Sequence, residues 1–184
     1  MKKDCLWRSF LYAKTFKVEL IVKKIVIFGN SGSGKSTLAR QLSAKHNLPH
    51  FDLDTIAWAP SVPPQRMSID NSSVLIEQFV YENEQWIIEG CYSDLIELVL
   101  PIANKVIFLN LTIDDCIKNA KKRPWEPHKY QSKDEQDKNL SMLIDWIRDY
   151  DNRADTFSKA AHQALYDSFK LEKIMYDSNV REES

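Results

Sequence analysis

Cysteine is scarce in this chain, and so is an excess of charge of either sign. Its three cysteines, Cys5, Cys91 and Cys116, are odd in number and show no C-x-x-C spacing, which argues against a disulfide framework and a zinc site. The 25 lysines and arginines nearly balance the 26 acidic residues, so the net charge favours no broad binding to nucleic acid or to a membrane surface. We therefore expect a cytoplasmic protein in a reducing compartment.

Long apolar runs are also absent near the start of the chain. Residues 1–22 begin with a basic stretch, but Arg8, Lys14 and Glu19 interrupt the apolar residues that follow. This pattern fits neither a signal peptide nor a membrane-spanning helix, so we expect no membrane association. We interpret residues 1–22 as an N-terminal extension and predict one domain over residues 23–184.

Glycine is rare, yet three of the four glycines lie between residues 29 and 34. An apolar, β-branched run over residues 24–28 precedes them, and a helix-forming segment over residues 38–42 follows. The intervening residues match the P-loop pattern G-x-x-x-x-G-K-[ST]. They are Gly29, Asn30, Ser31, Gly32, Ser33, Gly34, Lys35, Ser36 and Thr37.

This motif predicts nucleotide binding because each of its parts suits a triphosphate. The glycines allow a tight turn whose backbone N–H groups face an anion, and the N-terminus of the next helix lies behind them. The Lys35 ammonium group can reach the β- and γ-phosphates, and the Ser36 hydroxyl can ligate Mg²⁺. We therefore predict ATP and Mg²⁺ as cofactors.

Two carboxylates end the second predicted strand. Asp52 and Asp54 alternate around Leu53, so in an extended strand both would point to the same side. One helix and one returning parallel strand fit their distance from Lys35, which would place the pair beside the phosphates at the carboxyl edge of the sheet. We predict that Asp52 contributes to the Mg²⁺ shell and that Asp54 orients an acceptor hydroxyl.

Other candidate residues leave alternatives open. The fourth predicted strand does not end in the aspartate typical of a Walker B motif, so Glu89 or Asp52 is expected to supply the carboxylate for the metal. Arg66, in an irregular segment after the second strand, either holds an anionic group of the acceptor or is simply exposed. The basic stretch from Lys118 to Lys129 either provides lid cations or is a solvated surface.

Helix and strand signals alternate along the rest of the chain. Ser73 is predicted to start a helix that runs to Tyr81, and a capping box at Ser132 to start one whose apolar stripe ends at Ile147. The alternation predicts an α/β fold with a parallel sheet covered on both faces. The last helix is predicted to face inward with Phe157, Ala160, Ala161, Ala164 and Leu165.

Several segments resemble the small P-loop kinases of the nucleoside monophosphate kinase and shikimate kinase type. The segments are residues 29–37, 53–55, 86–92 and 106–109. They are most similar to the adenylate-kinase-like bacterial proteins labelled "DNA topology modulation protein". The resemblance implies a three-layer αβα P-loop NTPase fold with a five-stranded parallel sheet in the order 2-3-1-4-5.

The same resemblance implies an acceptor-binding arm over about residues 55–83 and a helical lid over about residues 119–137. It implies substrate contacts for Gly90 and Tyr92 after the third strand, and it matches Asp52 and Asp54 to the D-x-D pair of shikimate kinases. The glycine-rich third-strand loop of shikimate kinase is missing, which argues against that particular activity.

The sequence thus predicts a phosphotransferase that moves the γ-phosphoryl group of ATP to a small-molecule acceptor, either a nucleotide or a hydroxylated metabolite. Lys35 and Asp54 are predicted to be catalytic, together with arginines that close over the transferring group. The candidate arginines are Arg123, Arg148 and Arg153. We expect a monomer or a homodimer. Two alternatives remain: a P-loop regulator associated with nucleic acid, which the near-neutral charge disfavours, and an acceptor-independent NTPase.

Overall fold

The computed structural model describes residues 22–59, 61, 65–126 and 131–179. The predicted N-terminal extension, apart from Val22, and residues 127–130 of the predicted lid lie outside the described residues. The elements in chain order are β1 (Lys24–Gly29), α1 (Lys35–His46), β2 (His50–Asp52), α2 (Asp54–Ala57), β3 (Trp58–Ala59), β4 (Gln65–Arg66), α3 (Ile69–Glu82), β5 (Trp86–Gly90), α4 (Ser93–Val99), β6 (Lys105–Leu109), α5 (Ile113–Lys122), α6 (Lys133–Lys138), α7 (Leu140–Arg148), α8 (Lys159–Ser168) and β7 (Glu172–Tyr176), with 3₁₀ turns at Leu100–Ile102 and Asp149–Asp151.

Five parallel strands form the main sheet in the order β2-β5-β1-β6-β7. Counted among themselves, these strands follow the predicted order 2-3-1-4-5. The two remaining strands, β3 and β4, pair antiparallel in the arm, with Trp58 opposite Arg66. This hairpin was not predicted, because strands of two residues are too short to show a periodic pattern.

The main sheet buries apolar side chains on both faces. Val26 and Phe28 of β1 pack on one face with residues of α2, α3, α4 and α8, whereas Ile25 and Ile27 pack on the other with residues of α1, α5 and α7. Successive side chains of a strand point to opposite faces, so one apolar strand serves both layers. The predicted α/β class with helices on both faces is confirmed.

Two predicted helix boundaries are wrong for identifiable reasons. The helix expected to start at Ser73 begins at Ile69, because the Ser68 hydroxyl accepts the N–H of Asn71 and caps the helix earlier. The single helix expected after Ser132 is two helices, α6 and α7, which meet at Asn139. Within the part of the chain that the structure describes, no helix has the length and apolar character needed to cross a membrane.

Candidate active site

The P-loop follows β1 and is pressed against two neighbouring elements. Gly29, Gly32 and Gly34 have backbone φ angles of 145°, 75° and 86°, and residues other than glycine rarely adopt such angles. A Cβ atom at Gly29 would lie 2.4 Å from the carbonyl oxygen of Leu109, and one at Gly32 would lie 2.4 Å from that of Cys116. The loop therefore needs glycine for both its turn and its packing.

Hydrogen bonds between the P-loop and neighbouring helices also hold this loop in place. The Asn30 amide donates to the carbonyl of Ile147 at 3.2 Å, and the Asn119 amide donates to the carbonyl of Gly32 at 2.9 Å. The Lys35 ammonium group donates to the Asn30 carbonyl at 3.0 Å. No side chain caps the start of α1, so its first N–H groups remain available for an anion.

Two predicted metal ligands lie at the carboxyl edge of the sheet. Asp52 of β2 is opposite Glu89 of β5, and Glu89 is opposite Ile27 of β1. Glu89 is 1% exposed, and its Oε1 atom accepts no hydrogen bond from a described residue, although His50 Nε2 lies 3.7 Å away. A buried carboxylate oxygen of this kind suits a cation. No group of three or more His, Cys, Asp or Glu side chains able to hold a metal occurs among the described residues.

Asp54 does not continue the strand, contrary to our expectation. Strand β2 ends at Asp52, Leu53 has helical backbone angles, and α2 begins at Asp54. The Asp52 carboxylate accepts the N–H of Asp54 at 2.9 Å and so starts this turn. The two carboxylates are therefore presented by a strand end and a helix start rather than by one face of an extended strand.

Tyr92 holds the Asp54 carboxylate. Its hydroxyl donates to Asp54 Oδ1 at 2.7 Å and accepts the indole N–H of Trp58 at 2.9 Å. Burial, the nearby Cys91 and the Asp54 charge raise the pKa of Tyr92 above its usual range, so the hydroxyl keeps its proton. Tyr92 is 3% exposed, so little of its side chain is open to a ligand, and the substrate contact that the resemblance implies stays a prediction.

Gly90 is closely packed, and its predicted role in substrate binding stays a prediction. A Cβ atom there would lie 2.9 Å from the Leu53 Cβ and 3.1 Å from the Tyr92 ring. The space over this glycine is thus filled by two buried side chains. Gly90 allows these side chains to pack against the strand, which is a structural role.

Arg66 is not simply exposed, which corrects one of the two alternatives for it, while its predicted contact with an anionic acceptor stays a prediction. Its Nη2 atom lies 3.1 Å from each carboxylate oxygen of Asp94, and its Nη1 atom donates to the carbonyl of Ala57 at 3.0 Å. The guanidinium carbon lies 4.5 Å from the centre of the Tyr92 ring. The single arginine of the arm therefore connects the hairpin to α4.

Two of the three other candidate arginines pair with acids nearby in the chain. Arg123 forms an ion pair of 3.0 Å with Glu126, at the start of the predicted lid. Arg148 forms one of 3.0 Å with Asp145, and its side chain is 63% exposed. These contacts are typical of a folded loop and of a solvated helix surface.

Arg153 has a different environment. Its Nη2 atom donates to the carbonyl of Trp146 at 2.9 Å, and its guanidinium carbon lies 3.8 Å from the centre of that indole ring. Its Nε and Nη1 atoms are buried and donate to no described residue. A cation whose buried N–H groups lack acceptors suits an anionic ligand.

The Cys91 thiol is affected by the charges of four predicted site residues. Lys35, Asp54, Glu89 and Arg153 are all close enough to the Cys91 thiol for their charges to shift its pKa. Burial is the largest effect and raises the pKa of Cys91 to about 12, so the thiol stays neutral. The charges of one lysine, two carboxylates and one arginine thus all reach this thiol.

His162, next to Cys91, was not predicted. Its Nε2 atom lies 3.1 Å from the Cys91 carbonyl and its Nδ1 atom 2.7 Å from the Tyr150 hydroxyl. Because a carbonyl only accepts, Nε2 carries the proton and Tyr150 donates to Nδ1. Burial lowers the pKa of His162 to about 3. On α8, His162 is buried whereas Ala160 and Ala164 are exposed, which corrects the predicted inward face.

The chain matches a known protein family. A family model described as AAA domain matches residues 25–140, more than half of the chain. The chain belongs to this AAA domain family. The chain is also similar to the uncharacterized protein YqaC of Bacillus subtilis (strain 168). The two are 29% identical over 147 residues, which cover 77% of this chain and 80% of that protein.

Two solved kinase structures share the fold of the AAA domain chain. The gluconokinase from Sinorhizobium meliloti 1021 has a TM-score of 0.52 at 15% identity and covers 86% of this chain and 84% of its own. The shikimate kinase from Acinetobacter baumannii in complex with shikimate has a TM-score of 0.50 at 14% identity and covers 88% of this chain and 86% of its own. At these identities the likeness shows the fold alone. None of these relatives carries the "DNA topology modulation" label, so that narrower resemblance stays a prediction.

Proposed function

We propose that this protein is a kinase that transfers the γ-phosphoryl group of ATP to a hydroxyl group of a small-molecule acceptor. The observation that carries the proposal is the P-loop at the carboxyl edge of the sheet, with Glu89 on the neighbouring strand and the Asp54 carboxylate held by Tyr92. Phosphoryl transfer needs cations on the phosphates and a base at the acceptor, held close together.

Lys35 and the P-loop backbone are proposed to hold the triphosphate. The Lys35 ammonium group now donates to a neutral carbonyl, that of Asn30. An anionic phosphate is a stronger partner for a cation than a neutral carbonyl is, so Lys35 would turn to the nucleotide when it binds. The uncapped start of α1 adds N–H donors and the helix dipole to the same site.

The residues at the edge of the sheet fit Mg²⁺. Ser36, Asp52 and Glu89 would hold the ion, with water and phosphate oxygens completing its coordination, as is usual for magnesium in kinases. The buried Oε1 atom of Glu89, which accepts no hydrogen bond from a described residue, supports this assignment. Bound Mg²⁺ would neutralise negative charge on the phosphates.

Arg153 is our proposed contact for the transferring phosphoryl group. The Trp146 ring and carbonyl hold its guanidinium in place, while Nε and Nη1 are buried without an acceptor in the described structure. A planar guanidinium fixed in this way can bind two phosphoryl oxygens at once. Arg123 and Arg148 remain candidates, but each already has a carboxylate partner close by in the chain.

Asp54 is proposed to orient the acceptor and to accept its hydroxyl proton. The hydrogen bond from Tyr92 keeps the carboxylate in one orientation. A base held in this way can meet the hydroxyl in the geometry that in-line transfer requires. We also propose, from composition alone, a cytoplasmic protein that is a monomer or a homodimer.

The experiment that tests this function is ADP release from ATP and Mg²⁺, without an acceptor and then with nucleosides, nucleotides, sugars and polyols. We expect one compound to stimulate release, and Asp54→Asn to lower the stimulated rate by about 100-fold or more while the acceptor-free rate remains. Lys35→Met should abolish both rates. If no compound changed the rate, the protein would be an NTPase and this proposal would fail.

A further inference from the structure

We propose that the acceptor is an uncharged, hydroxyl-bearing small molecule such as a sugar, polyol or nucleoside, rather than a phosphorylated or carboxylated one. This inference rests on the proposed kinase function and narrows its substrate class. Three observations support it, namely the contacts of Arg66, the charge around Asp54 and the exposure of Trp58.

The arm offers no unengaged cation to an anionic acceptor. Residues 55–83 contain one basic side chain, Arg66. Asp94 binds it through both carboxylate oxygens at 3.1 Å, Ala57 accepts a further hydrogen bond at 3.0 Å, and the Tyr92 ring covers one face. The Arg66 and Asp94 side chains are each only 25% exposed, so water screens this pair incompletely. An anionic acceptor would have to displace Asp94 from it.

The proposed acceptor position is also flanked by negative charge. Asp54 would meet the acceptor hydroxyl, and the Tyr92 hydroxyl holds its carboxylate in place through the hydrogen bond to Oδ1 at 2.7 Å. A phosphate or carboxylate on the acceptor would be repelled by the Asp54 charge. Among the described residues, Lys35 and Arg153 are the cations whose charges reach Cys91, and the proposed mechanism assigns both to phosphate groups of the nucleotide.

Trp58 supplies a surface that suits an uncharged ligand. Trp58 is 40% exposed, although its indole N–H donates a hydrogen bond to the Tyr92 hydroxyl. Since Tyr92 also bonds Asp54, the exposed ring is held beside the carboxylate. Sites for uncharged ligands combine aromatic surface with a few placed polar groups, and a ring face can pack on the C–H groups of a sugar or on a planar base.

The test is ADP release with paired acceptors in which one member carries a phosphate or a carboxylate in place of a hydroxyl or hydroxymethyl group: adenosine and AMP, guanosine and GMP, glucose and glucose 6-phosphate, xylitol and xylonate. In the pair with the highest turnover, we expect kcat/KM for the uncharged member to exceed that of the charged one by about tenfold or more. Preference for the charged member would overturn this inference and leave the kinase proposal intact. If no compound gave turnover, both proposals would fail.

Two variants test the role of Arg66 directly. Asp94→Asn should raise kcat/KM for the charged acceptor relative to the uncharged one by about tenfold, because Arg66 can then engage an anion. An unchanged ratio would contradict the inference. Arg66→Gln should leave the preference of the wild type in place, whereas loss of an existing activity on charged acceptors would overturn the inference. Asp167→Asn, which removes an exposed carboxylate of α8, is the control and should not change the ratio.

Discussion

At the scale of single residues, the Tyr92 hydroxyl connects the arm to the proposed catalytic carboxylate. It bonds Asp54 and the Trp58 indole at once. We expect Tyr92→Phe to lower kcat by roughly 10–100-fold through a misplaced carboxylate, with KM for ATP unchanged. The free energy of unfolding should fall by about 1–3 kcal/mol because the partners lose a hydrogen bond. Steady-state kinetics and thermal unfolding measure both effects.

Tyr81→Phe is the matched control for that variant, since Tyr81 is 92% exposed. It should change neither kcat nor the free energy of unfolding. If Tyr92→Phe retained full kcat, the hydrogen bond to Asp54 would have no part in positioning the base.

Arg153 gives a second prediction at the residue scale. Arg153→Gln should lower kcat by about 10³-fold or more, as expected when an arginine that stabilises a transferring phosphoryl group is removed. Arg148→Gln, five positions earlier and 63% exposed, is the comparison and should have little effect. Equal losses in the two variants would argue against assigning the phosphoryl contact to Arg153. Rates of acceptor-dependent ADP release distinguish these results.

At the scale of elements, the P-loop depends on its contact with α5. Gly32 has a φ of 75°, and a Cβ there would meet the Cys116 carbonyl oxygen at 2.4 Å. We expect Gly32→Ala to cost about 1–3 kcal/mol and to abolish the rise in melting temperature caused by ATP and Mg²⁺. Ser141→Ala on the exposed side of α7 should keep that rise. A normal rise in Gly32→Ala would show that the loop tolerates the side chain.

Helix α8 gives a prediction about acid stability. The pKa of His162 is about 3 in the folded protein and near 6.5 in the unfolded chain. Between these values the unfolded chain binds more protons, so stability falls as the pH falls below 6.5, by up to about 1.4 kcal/mol per pH unit. Urea unfolding between pH 7 and pH 4 should show this slope in the wild type and a smaller slope in His162→Gln.

His46→Gln is a suitable comparison, because His46 lies at the C-terminal end of α1 and outside the buried core. It should leave most of the acid slope in place. An identical slope in the wild type and His162→Gln would mean that another group is responsible.

At the scale of the whole molecule, the parts that were predicted correctly have local signals. The P-loop is a contiguous motif, and strands β1, β5 and β6 are largely apolar runs, so the class followed from the sequence and the strand order from the resemblance it carries. The contacts that shape the acceptor side are distant in the chain: Tyr92 and Asp54 are 38 positions apart, and His162 and Cys91 are 71 apart. No periodicity or spacing indicates such pairs.

The partner of Arg66 could not be predicted from the sequence for the same reason. Its charge fitted either an anionic acceptor or a simply exposed side chain, but it pairs with Asp94, which lies 28 positions away on α4. The type of a residue indicates what it can bind, whereas the fold determines which partner it has already bound. The proposed substrate class therefore rests on contacts that the motif does not indicate.

The measurement that tests the central claim most directly follows the label from ATP carrying ³²P in its γ-phosphate. The wild-type protein is incubated with Mg²⁺ and the most effective acceptor, and the products are separated, with Lys35→Met as the blank. We predict that the label appears in the phosphorylated acceptor and is absent from it in Lys35→Met. If all of the released label were inorganic phosphate, the protein would hydrolyse ATP without transfer, and the account of Asp54 as an acceptor base would be contradicted.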